Sequence, residues 1–138
     1  MIEFTVLGEP KAQGRPRAGI QNGKIRMRDP LESRNFKQYV RLVASQHAPS
    51  QLLEGPLFLE VKVYKPLLKK FSKKKQAEAE QGLIRPMTKP DVDNYAKGIL
   101  DGLNNVIWKD DNQIVDLHVS KWYSEKPRIE VCVKELNG

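Results

Sequence analysis

Across residues 1–7, apolar Ile2, Phe4 and Val6 alternate with Glu3 and Thr5, the period-two pattern of a strand with one buried face. Gly8 and Pro10 end it. The same alternation returns over residues 57–64, stopped by Pro66, and two further strand signals follow over 114–123 and 128–135, joined by a turn around residues 125–127. Two segments carry the helical period instead. Leu31, Tyr39, Leu42 and Val43 supply much of an apolar stripe, with Asp29 as cap, Pro30 at the first position and Glu32 three residues after the cap, so a helix is expected to about Gln46. With residues set about 100° apart, Tyr95, Ala96, Ile99, Leu100 and Leu103 share one face, and Asp93, Asn94, Lys97 and Asp101 the other. This second helix should end near Asn104 or Asn105.

Two stretches are less regular. Residues 11–28 hold Gly14, Pro16, Gly19 and an Asn22-Gly23 pair, which predicts a basic loop and a short hairpin ribbon. Residues 67–82 could form a helix capped by Ser72, but five lysines leave little apolar surface to anchor it, and a mobile solvated flap is the alternative. The order strand, ribbon, helix, strand, basic segment, helix, strand, strand predicts an α/β fold with a small mixed sheet of about four strands and two main helices. With 138 residues, one domain over 1–138 is expected.

Composition narrows the chemistry. No apolar run is long enough to span a membrane, and the first ten residues lack the pattern of a signal peptide. A lone Cys132 excludes an internal disulfide and a Cys-rich zinc site, so a reducing, cytoplasmic location is expected. Lys and Arg number 24 against 17 Asp and Glu, a net charge of +7 that suggests a polyanionic partner. The charge is unevenly placed. Residues 11–41 hold nine basic and two acidic side chains, and residues 60–89 nine and three; residues 90–118 reverse the balance, with six aspartates against Lys97 and Lys109. Like-charged aspartates beside a phosphate-binding surface would repel the ligand unless a cation bridges them.

Those aspartates have an order. Pro90 favours an extended chain before the helix, so Asp91 and Asp93 could point the same way; the alternative is an N-cap aspartate with a solvated neighbour. Lys97 follows one turn later, as phosphate contact or as rung of an ion-pair ladder with Asp101. Asp110 and Asp111 come after Trp108, which is expected to be a core anchor; as neighbours they repel unless a divalent cation neutralises them, with loop composition as the competing account. Oxygen ligands from Asp91, Asp93 and Asp110 or Asp111 would suit Mg²⁺ or Mn²⁺, which points to phosphodiester hydrolysis. His47 and His118 read as structural. For phosphate contact the candidates are Arg15, Arg17, Lys24, Arg26 and Arg28 on the ribbon and Lys69, Lys70, Lys73, Lys74 and Lys75 before the acidic island, against solvated surface as the plain alternative. Phe71, among those lysines, is a candidate apolar wedge at an opened junction.

The segment PDVDNYAKGILDGLN followed by VIWKDDNQIVDL resembles the signature of the RusA family of Holliday-junction resolvases of phage and prophage type, over about 29 of the 138 residues. The resemblance implies a small α/β homodimer that uses divalent metal to cut four-way DNA junctions by paired symmetric nicks. It assigns the essential carboxylates to Asp91, Asp93 and Asp111 and the important lysine to Lys97, with Asp110 in the neighbouring acidic position. Asn94 and Asp101 also match and read as structural support. Family members often carry arginines directly before DxD; here that stretch is Ile84-Arg85-Pro86-Met87-Thr88-Lys89-Pro90, the charge having moved upstream to residues 69–75. The competing readings are a non-catalytic nucleic-acid-binding module, in which the aspartates only cap and turn, and a metal nuclease for other branched DNA or RNA.

Overall fold

The computed structural model describes residues 1–12, 17–21, 24–28 and 31–136, with backbone alone for 17–21, 24–28 and 31–33. Its elements are β1 (Ile2–Leu7), β2 (Arg17–Gln21), β3 (Lys24–Arg28), α1 (Leu31–Ser45), β4 (Leu57–Pro66), α2 (Lys73–Glu80), α3 (Val92–Leu103), β5 (Ile114–Ser124) and β6 (Arg128–Glu135). A 3₁₀ turn, Asp111–Gln113, leads into β5. One mixed sheet has the order β1-β6-β4-β5; β6 runs antiparallel to both β1 and β4, and β4 pairs in parallel with β5. The expected α/β fold with a four-stranded mixed sheet is what forms, with three helices in place of two main ones.

The alternation read along each strand decides which face is covered. Leu57, Leu59, Val61 and Val63 of β4, Ile129, Val131 and Val133 of β6, and Phe4 and Val6 of β1 are buried on one face, against α1 and α3. Phe58, Glu60, Lys62 and Tyr64 alternate onto the opposite, half-buried face. The face rule of a pleated strand thus turns a period-two sequence into a single-sided core. Trp108, Ile107, Tyr95, Ile99 and Leu103 close that core from the other side.

The stripe of α1 is rotated from its expected position. Val40 and Ala44 are buried and Phe36 and Val43 pack against the core, whereas Tyr39 is 42% and Leu42 62% exposed. The reason is the crossing with α3: a Cβ on Gly102 would lie 3.1 Å from Val40 Cγ1, so the two helices meet at Val40 and Gly102 and that contact sets which side of α1 faces inward. The cap expected at Asp29 and Pro30, like the Asn22-Gly23 turn between β2 and β3, lies outside the described residues.

The lysine-rich segment is anchored. Ser72 caps α2, accepting from Lys75 N–H at 3.2 Å, and Ala79 is buried. Phe71 sits edge-on to Tyr123 with ring centroids 5.3 Å apart, so its ring packs within the fold and is not a free wedge. Gly82 adopts φ +80, and a Cβ there would come within 2.8 Å of the Trp122 ring. Only glycine permits both that conformation and that approach. Arg85 then lies over Trp122, 3.4 Å from the ring centroid, and its Nε donates to the Lys121 carbonyl at 2.6 Å. Aromatic and backbone contacts to the far half of β5 replace the apolar stripe that α2 lacks.

Candidate functional site

Asp91 is the N-cap of α3, with extended backbone at ψ 158 and no hydrogen bond from its side chain to the cap, and Asp93 lies in the first turn. The pair therefore straddles a helix start, α3 beginning at Val92 between them. A carboxylate here is favoured by the unpaired N–H groups of the first turn. Asp91, Asp93, Asn94 and Lys97 are all exposed, because Tyr95, Ala96, Ile99 and Leu103 take the inward face.

What holds this end is a pair of lysines that the sequence pattern did not single out. Lys121 Nζ, from β5, donates to the Thr88 carbonyl at 2.8 Å and the Pro90 carbonyl at 3.1 Å. Lys65 Nζ, from β4, donates to the Lys89 carbonyl at 3.0 Å and reaches Thr88 Oγ1 at 3.4 Å. Burial and the neighbouring Lys121 charge hold the Lys65 ammonium below its usual pKa, Glu9 acting the other way. Two cations thus pin the carbonyls immediately before Asp91, at the level of residues 121–123 of the sheet.

The second acidic group is built differently. Trp108 is fully buried, and its Nε1 donates to Asn104 Oδ1 at 2.7 Å. Asn105, at φ 65, turns the chain, a conformation asparagine tolerates better than most residues. Gln113 then clips the acidic loop shut: its Oε1 accepts from Lys109 N at 2.9 Å and Asp110 N at 3.1 Å, and its Nε2 donates to the carbonyls of Leu53 at 2.9 Å and Gly55 at 3.2 Å. The sequence flagged Trp108 as an anchor correctly, and Gln113 belonged to the quoted motif without a role. The hydrogen bond that a protonated Asp111 donates to Asp110 lifts the Asp111 carboxyl above the usual carboxylate range, with burial and the charges of Asp110 and Asp101 adding to it. Asp101 in turn lies 4.0 Å from Lys37 of α1. Arg41 ties the end of α3 to α1, donating to Asn104 O at 2.9 Å and Gly102 O at 3.3 Å.

The two groups do not meet within one chain. Asp101 neighbours Asp111, yet Asp93 is eight residues earlier on the same helix, about 12 Å along its axis. The sheet points the same way: Asp111 precedes the start of β5, whereas the Asp91 loop is held by Lys121, seven residues into the strand. Among the described residues, no three Asp, Glu, His or Cys side chains are grouped to hold a metal ion. The donor set itself suits a hard divalent cation, being all carboxylate oxygen with two of the carboxyls crowded together; its distribution over one chain does not.

The expected phosphate contacts fall in two places. Lys69, Lys70, Lys73, Lys74 and Lys75 are exposed before and within the first turn of α2. Arg17, Lys24, Arg26 and Arg28 occupy the β2–β3 ribbon, where the register Arg17↔Arg28, Gly19↔Arg26 and Gln21↔Lys24 sets all four positions on one face. Arg15 lies outside the described residues. His47 stacks on Phe4 at 5.6 Å between centroids, and His118 is tilted against Phe58 at 6.4 Å. No helix of the described residues is long and apolar enough to cross a membrane.

The chain is 61% identical over 139 residues to the uncharacterized protein YqaN of Bacillus subtilis (strain 168), a match covering 99% of this chain and 98% of that protein. The family model of the endodeoxyribonuclease RusA matches residues 8–134, which include both acidic groups, the lysines that hold the first and the glutamine that clips the second. The chain therefore belongs to the RusA family of endodeoxyribonucleases, which act on Holliday-junction DNA.

Proposed function

We propose that this protein is a divalent-metal-dependent endonuclease that resolves four-way DNA junctions by paired symmetric nicks, acting as a homodimer. The observation that supports it most is the pair Asp110–Asp111: two adjacent carboxyls on an exposed loop whose backbone Gln113 clips shut, one with a raised pKa, in a protein of net charge +7. Asp110 is the N-cap of the 3₁₀ turn and Asp111 adds a second negative charge beside it, a repulsion that a bound cation would remove. Bound Mg²⁺ or Mn²⁺ would neutralise phosphate charge and activate a water. The chain's own residues supply the rest. Asp91, Asp93, Asp110 and Asp111 offer oxygen ligands, and Lys97, one turn into α3 from Asp93, carries an exposed ammonium for the phosphate. The lysines of residues 69–75 and the basic face of the β2–β3 ribbon bind the DNA backbone, an interaction that weakens steeply with salt. Two equivalent sites about a two-fold axis match the two equivalent strands of a junction.

The test is cleavage of a synthetic four-way junction with Mg²⁺ or Mn²⁺ and mapping of the nicks, for the wild type and for Asp91→Asn/Asp93→Asn. The double variant is expected to lose cutting while still binding the junction in Ca²⁺. A wild type that binds junctions and cuts no branched substrate with either metal would favour the non-catalytic binding module. Cutting confined to flaps or RNA would favour a nuclease with another target.

A further inference from the structure

The segment between α2 and α3 is fixed on both sides of one apolar side chain. Before it, Arg85 Nε donates to the Lys121 carbonyl at 2.6 Å, the guanidinium lies over the Trp122 ring, and Pro86 is buried. After it, Lys121 Nζ holds the carbonyls of Thr88 at 2.8 Å and Pro90 at 3.1 Å, and Lys65 Nζ holds that of Lys89 at 3.0 Å. Between these anchors stands Met87, 94% exposed, the largest value for a large hydrophobic side chain among the described residues. With its backbone fixed on either side, Met87 keeps this apolar surface in water until a partner covers it.

We infer that Met87 is a base contact that separates branched from duplex DNA: its side chain enters the branch point of a four-way junction and packs against an unstacked base. The inference rests on the nuclease reading and names what that site selects. Position supports it first. Met87 lies between the exposed lysines of residues 69–75 and Asp91, four residues on, so the chain's reach limits its distance from Asp91 to about 14 Å, or about four base steps of one strand. A side chain so placed meets bases close to a phosphate held by Asp91 and Asp93. Chemistry supports it next. The lysines, with Lys89 exposed beside Met87, suit phosphates, which duplex and junction share, so they bind both alike. The apolar surface that DNA offers is the faces of its bases, and in a duplex these are covered by stacking, at a cost of a few kcal/mol per step to open. A branch point interrupts the stack, so insertion costs less there, and an unbranched thioether chain fits an irregular gap. Phe71, the aromatic among the lysines, is taken up by Tyr123 and leaves this role open.

The contact is tested by binding, without reference to cutting. The probe is a synthetic four-way junction with 2-aminopurine at the branch point, titrated in Ca²⁺ at one fixed salt concentration beside a duplex of the same sequence. The wild type is expected to prefer the junction and to raise the 2-aminopurine fluorescence as the base unstacks. Met87→Ala, at a position already open to water, is expected to unfold at the wild-type temperature, to lose the fluorescence rise, and to bind the junction about tenfold more weakly with duplex binding unchanged. Met87→Leu, still apolar, is expected to keep both properties, as is Leu42→Ala, which removes an exposed apolar side chain from α1. A wild type that does not distinguish junction from duplex overturns the proposal. So does a Met87→Ala protein that keeps the rise and the affinity, one that weakens on junction and duplex alike, or a Met87→Leu protein that loses both. Cutting of the same junction in Mg²⁺ or Mn²⁺ is scored separately. A wild type that cuts although Met87→Ala binds like wild type sinks the base contact and leaves the enzyme standing; one that shows the Met87-dependent rise and cuts nothing sinks the nuclease reading and leaves the base contact.

Discussion

The two acidic ends of α3 are held by opposite devices. At the Asp91 end, Lys65 and Lys121 reach from neighbouring strands and hydrogen-bond to backbone carbonyls, so charged side chains fix the loop that leads to Asp91. At the Asp110 end, a neutral amide, Gln113, does the fixing, and the charges that raise the Asp111 pKa are those of Asp110 and Asp101. One end is held by cations and the other by a neutral amide.

Removing the neutral clip should have the largest effect on the protein itself. Gln113→Ala would leave two N–H groups and two carbonyls without their partner, a loss of roughly 2–4 kcal/mol after water takes up the exposed ones, read by urea unfolding. Gln113→Glu keeps the shape but places a third acid beside Asp110 and Asp111, and is expected to be less stable than wild type at pH 7 and to recover on acidification. Lys121→Met should cost about 1 kcal/mol, because its hydrogen bonds are charge-assisted but partly exposed, and junction cutting should fall more than junction binding. Lys65→Met, with the longer contacts, should cost less. A Lys121→Met protein as active as wild type would show that the cationic clamp is dispensable.

The smallest effect concerns Tyr95, buried in α3 next to the Asp91 end, whose phenol is pushed up to about 12, first by burial and then by Glu9. Between pH 10 and about 12 the unfolded chain releases this proton and the folded one keeps it, so stability is intact below the ordinary phenol pKa of 10.0 and falls as pH rises through that window. Thermal unfolding of Tyr95→Phe should show a shallower alkaline decline. Equal slopes would mean that the phenol is not protected.

Much of the site was legible before any coordinates. β1, β4 and β6 carry alternation because one face of the sheet is covered and the other is not, and the apolar face of α3 left Asp93, Lys97 and Asp101 no direction but outward. Trp108 read as an anchor because a large aromatic beside a polar loop has few other uses. The clamp residues were not legible: Lys65 and Lys121 occupy strand ends where a lysine and a solvated surface residue look alike, and only the fold brings Thr88, Lys89 and Pro90 beneath them. The stripe of α1 was misread at Tyr39 and Leu42 because helical period alone does not say which of two adjacent apolar rows meets the partner helix.

By itself the sequence determined what each segment is and which residue types carry chemistry, since periodicity, turn residues and charge are local properties of the chain. The distance between Asp91 and Asp111 is not local. It was decided by the direction of α3 across the sheet and by the parallel pairing of β4 with β5, which set one acidic group at the start of the strand and the other at its far end. Residues 18 to 20 apart in sequence can be neighbours or be separated by the length of a helix, and only the packing of that helix against the sheet selects between the two.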